Sequence, residues 1–80
     1  MKYLNLNKSG LGFTLNHEHE IKFTSDINQN LVLHDKVRII AFNEDFEAEI
    51  TLTQFVKSEN EERPDLYGYV AKYIQKWKGD

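Results

Sequence analysis

The sequence predicts an all-β or mostly β fold, a small antiparallel β-barrel of five to six strands, with a short C-terminal helix as its one non-β option. Apolar residues recur at period two in run after run, and polar turns of a few residues separate the runs. The chain has 80 residues, so positions 1–80 make a single small domain. Short strands joined by tight turns close most readily into a barrel or a curled sheet.

The runs can be taken in order. Leu4–Leu6 opens the chain, and Asn7-Lys8-Ser9-Gly10 supplies turn residues before Leu11, Phe13 and Leu15, which share one side of the next strand. Asn16-His17-Glu18-His19 is a polar turn ahead of Ile21 and Phe23, which alternate with Lys22 and Thr24. A looser loop covers Ser25 to Asn30. Val37, Ile39 and Ala41 alternate with Arg38, Ile40 and Phe42, and Asn43-Glu44-Asp45 reads as a short hairpin. Phe46, Ala48, Ile50 and Leu52 then line one face, with Glu47, Glu49, Thr51 and Thr53 on the other. Ser58 to Asp65 is the longest polar stretch and is expected to be exposed.

The last segment has two readings. As a strand, it puts Tyr67, Tyr69, Ala71 and Tyr73 on one face and Leu66, Val70 and Ile74 on the other. As a helix, Leu66, Val70, Tyr73, Ile74 and Trp77 form a stripe, with Asp65 as cap and Gly79 as stop. Gly68 costs a helix about 1 kcal/mol, and tyrosine favours the strand. The strand is expected through about Ile74, with the helical option confined to Gln75–Lys78.

Composition narrows the function classes. Hydrophobic residues are 40% and charged residues 29%, an ordinary globular mixture. With no cysteine there is no disulfide framework and no thiolate zinc site. No apolar run is long enough to cross a bilayer as a helix, and Met1–Lys8 contains no signal-like apolar stretch, so a cytoplasmic address without membrane association is expected. The net charge of −3 argues against a protein that coats nucleic acid. Charge is uneven, with an acidic block over 43–65 and a basic tail carrying Lys72, Lys76 and Lys78. Such a two-signed surface suits pairing with another protein or with itself, as well as simple solvation.

The stretch Asn5-Leu6-Asn7-Lys8-Ser9-Gly10-Leu11-Gly12-Phe13 resembles the signature turn of PilZ domains, an Asp or Asn, one residue, a Ser, two residues, then a Gly. Asn5 and Gly10 match, and Asn7 stands where Ser is usual. Leu33 to Ile39, Phe46 to Val56 and Tyr67 to Ile74 resemble later strands of that family, so the similarity spans 2–74. It implies a six-stranded antiparallel barrel of bacterial or phage source. Many PilZ domains bind cyclic di-GMP, through this turn and an Arg-x-x-x-Arg run whose guanidinium groups pair with phosphates. Here Arg38 and Arg63 each lack an Arg four residues away. The resemblance is therefore to a degenerate member that acts through protein contacts. Asn5, Asn7 and Gly10 remain the ligand-binding candidates if a cyclic dinucleotide is bound.

Other chemistry is thinly signalled. His17 and His19, with His34 as a third ligand, could form a metal site, but solvated loop histidines look the same. Glu47 and Glu49 at period two match an acid–base pair and equally an exposed strand face. Ser9, Ser25 and Ser58 sit in turns, where serine serves the backbone. Gly10 and Gly12 lack the following helix that a phosphate loop needs. Tyr67, Tyr69, Tyr73 and Trp77, interleaved with lysines, suit either a protein interface or single-stranded nucleic acid. The sequence thus points to a regulatory or adaptor module without catalytic residues, metal or cofactor. Its expected partner is a protein or a second copy, met through Tyr67, Tyr69, Tyr73 and Trp77 and through the edge of that C-terminal strand, where an exposed edge would invite strand addition between copies. A cyclic di-GMP sensor and a single-strand nucleic-acid binder are the alternatives.

Overall fold

The computed structural model describes residues 1–9, 12–16 and 20–79. Its strands are β1 (Lys2–Asn5), β2 (Gly12–Leu15), β3 (Glu20–Ser25), β4 (Lys36–Ala41), β5 (Glu44–Val56) and β6 (Leu66–Lys76). They form one sheet in the order β1-β4-β5-β6-β3-β2, curled into a half-barrel. The mostly β expectation holds.

Period-two alternation became burial wherever the sheet curls. Ile21, Phe23, Val37, Ile39, Ala41, Phe46, Ala48, Ile50, Tyr69 and Ala71 line the inner face and form the core with Leu6 and Leu31. Removing this apolar surface from water, at about 25 cal/mol per Å², is the main stabilising term in a chain without disulfides. Leu11 lies outside the described residues; Phe13 and Leu15 pack against the core as expected.

Four details differ from the sequence reading. β1 runs parallel to β4, with Tyr3 level with Arg38, whereas the other four pairings are antiparallel. The roughly thirty residues between β1 and β4 leave room for the crossover that a parallel pair needs. Leu6–Ser9 forms a short helix, α1, rather than extended chain and turn. The hairpin between β4 and β5 turns at Phe42-Asn43, one residue earlier than read, with Phe42 at φ 55°. Among the described residues no C-terminal helix forms: β6 continues to Lys76, and residues 77–79 are not helical.

The chain is closed by side-chain clips. The Asn5 Oδ1 accepts from the Lys8 backbone N–H at 3.2 Å and caps α1. Asn7 then grips the hairpin: its Oδ1 accepts from the Phe42 N–H and its Nδ2 donates to the Phe42 carbonyl, both at 2.7 Å. The Phe42 ring lies 5.0 Å from that of Phe13 on β2, joining the hairpin to the opposite edge of the sheet. The segment 26–35 crosses from β3 to β4 beneath the inner face. Gln29 holds it there, its backbone N–H on the Tyr69 hydroxyl and its side chain on the buried Ser25 Oγ.

A candidate interaction edge

β5 has two dissimilar halves. Its first half has β4 on one side, paired from Glu44 to Glu49, and β6 on the other. The neighbour continues for one more residue, because the Ile50 N–H donates to the Asp35 carbonyl and the Ile50 carbonyl accepts from His34 N–H, both at 2.8 Å. Past that point the segment before β4 turns away. The turn Val32–Asp35 is tied by Asp35 N–H to the Val32 carbonyl and places His34 at φ 73°.

Among the described residues only β6 pairs with β5 from Thr51 to Val56, and every residue of that stretch is exposed. A bulge sits at its start: Ile50 pairs with Ala71 and Leu52 with Val70, leaving Thr51 over. The extra residue reverses the alternation. Leu52 was expected inside with Ile50. Instead it lies on the outer face with Gln54 and Val56, 47% exposed. Thr53 and Phe55 take the inner side, where Phe55 stacks 5.1 Å from Tyr67. The bulge also decides which backbone groups look outward. Since Ile50 faces away from β6, the shift makes Thr53, Phe55 and Lys57 the residues whose N–H and C=O point into the open lane. Among the described residues, no backbone bond from outside the hairpin reaches that lane.

An outer-face trough of about 480 Å³ borders this edge. Gly12 and Gly68 lie in one cross-strand row with Thr24 and Gln54, so the row has little relief. Thr14, Lys22, Val70 and Leu52 form the next row.

The residues picked out from sequence fall elsewhere. Tyr69 is 4% exposed, and Tyr67 and Tyr73 pack against the core, so the tyrosine face is the inner one. Lys72 is on the outer face, opposite those tyrosines, whereas Lys76 lines a hollow with Tyr73 and Trp77 beside the acidic Glu44 and Asp45. Trp77 is half-buried, with the Arg38 guanidinium 4.8 Å from its ring and 5.3 Å from that of Tyr3. Arg38 also grips Asp45 with two bonds, at 3.0 and 2.6 Å. That grip holds the Asp45 carboxyl below its ordinary value. The Lys2 ammonium does the same to Asp35, at 2.7 Å. The Asn5 and Asn7 side chains serve the capping and clipping bonds above, while Gly10, His17 and His19 lie outside the described residues. His34 Nδ1 is 3.1 Å from Glu49. Among the described residues no group of three His, Cys, Asp or Glu converges on a point where a metal could be held.

No protein-family model matches the chain, and no curated protein or solved structure matches it. The resemblance to PilZ domains rests on the residues quoted for it alone.

The sequence places the open edge on the C-terminal strand, but β6 lies between β5 and β3, and the open edge belongs to the second half of β5. A signal was present: Thr51-Leu52-Thr53-Gln54-Phe55-Val56 carries no charge and no proline, the devices that usually protect a strand edge.

Proposed function

We propose that this protein is a non-catalytic regulatory or adaptor module that binds a protein partner by strand addition along residues 51–57. One observation carries the reading: six consecutive exposed, uncharged strand residues with an unpaired outer edge, including Leu52, Phe55 and Val56 at 47%, 54% and 49% exposure. Backbone groups in the lane give affinity to any extended segment, and alternate side chains select among segments. The core tyrosines hold the long hairpin in place, and the edge does the binding.

A photo-crosslinking residue at Val56, with one at Lys72 as control, tests this in the source cell. A discrete covalent adduct at 56 and none at 72 is expected. No adduct at 56, or equal labelling at both positions, would refute the proposal.

A further inference from the structure

We infer that the partner of this edge is a second copy of the same chain, paired antiparallel about a two-fold axis through Gln54. The inference rests on the strand-addition reading above and adds the occupant and the register.

Backbone direction limits the registers. Residues whose N–H and C=O face the lane must meet across it, so Thr53 and Phe55 of one copy pair with Phe55 and Thr53 of the other. Pairing about Gln54 sets Thr53 opposite Phe55 of the second copy, and Thr51 opposite Lys57. It is the register that uses the whole open stretch. It also avoids β4, because the lane is occupied up to Ile50 and free from Thr51. The second copy's strand must end where it would meet that obstruction, at Ser58. The chain does turn there: Ser58 N–H donates to Asp65 Oδ1 at 2.8 Å and starts the loop back to β6.

Side-chain order is self-complementary in this register. On the outer face Leu52, Gln54 and Val56 read the same from either end: apolar, amide, apolar. Leu52 meets Val56 of the second copy twice, and the two Gln54 amides face each other on the axis. Gln54 now lies beside Gly68, within ordinary contact distance of where a Cβ would stand. No like charges oppose one another, a condition that cross-strand pairs need. An isologous contact of this kind closes at two copies.

The full chain, studied by sedimentation from micromolar to millimolar concentration, is expected to pass from 9.4 kDa to twice that mass. Gln54→Lys and Gln54→Glu each put like charges on the axis and are expected to stay monomeric, while an equimolar mixture of the two regains the dimer. Because the natural chain has no cysteine, Gln54→Cys oxidised with diamide gives an independent reading. A directly opposite pair on the axis crosslinks, and Thr14→Cys, on the outer face away from the edge, does not. Three results would overturn the inference: a monomer throughout the range, dimers that survive both charge variants, or a mixture that fails to recover. A purified monomer whose position 56 still forms an adduct with a different protein in the cell would remove the second copy and leave strand addition standing. A purified monomer with no adduct would remove both.

Discussion

From Phe46 to Ile50, β5 buries every second side chain beneath the sheet; from Thr51 to Val56, it buries none. Both halves carry strand-forming residues and both pair with β6. The first half has β4 on its other side and the core below. The second half has lost β4, and the bulge at Thr51 has exchanged its faces. Apolar alternation marks a strand face, and burial of that face depends on what the topology places beside it. Where the fold withdraws the neighbour, the same residue types become an adhesive edge.

Substitutions can break this contrast, starting with the largest effect. Phe46→Ala in the covered half is expected to cost about 3–5 kcal/mol in denaturant unfolding, a large share of what so small a domain has. Phe55→Ala in the open half should cost only about 1 kcal/mol, the value of its pairing with Tyr67. Equal losses at both positions would mean that the two halves are buried alike. Asn7→Ala removes the two bonds that hold the Phe42 turn over the covered half, with an expected loss of about 1–2 kcal/mol in the same measurement.

Gly68→Thr sharpens the contrast from the other direction. An added Cβ would meet Gln54 at no less than 3.7 Å, so the backbone accepts it. Relief of glycine's entropy cost is expected to stabilise the strand by about 0.5–1 kcal/mol, read as a raised melting temperature. Destabilisation would mean that the open half is packed more tightly than its exposure indicates.

The smallest expected effect is acid sensitivity, which belongs to the covered half. Asp45 and Asp35 have carboxyls held below their ordinary value by hydrogen bonds from Arg38 and Lys2. The folded protein therefore binds these protons more weakly than the unfolded chain. The stabilisation is complete above the ordinary carboxyl value and fades as pH falls through it towards the lowered one. Asp45→Asn should flatten the acid limb of stability against pH without changing the edge. An unchanged acid limb would show that the Arg38 grip contributes nothing.

Much of the fold was legible because period two is a local property. Ile21, Phe23, Val37, Ile39, Phe46, Ala48 and Ile50 all fall where alternation puts them, and Tyr67 to Tyr73 took the strand over the helix. The parallel β1 was not legible, since direction of pairing depends on a crossover and leaves no pattern in Lys2–Asn5. The inward face of Leu52 was misread because a bulge adds one residue without a distinctive sequence. The tyrosines were assigned to an interface because aromatic rings suit cores and interfaces equally. What separated them was the curl of the sheet, a property of the whole chain.

Hydrogen exchange along β5 at two protein concentrations tests the central claim most directly. At low concentration the β5 amides up to Ile50 should be protected, while those of Thr53, Phe55 and Lys57 exchange freely; at high concentration these three should become protected and the first half should not change. Protection of those three amides that is already complete at low concentration, or that never rises with concentration, would contradict an open edge that pairs with a second copy.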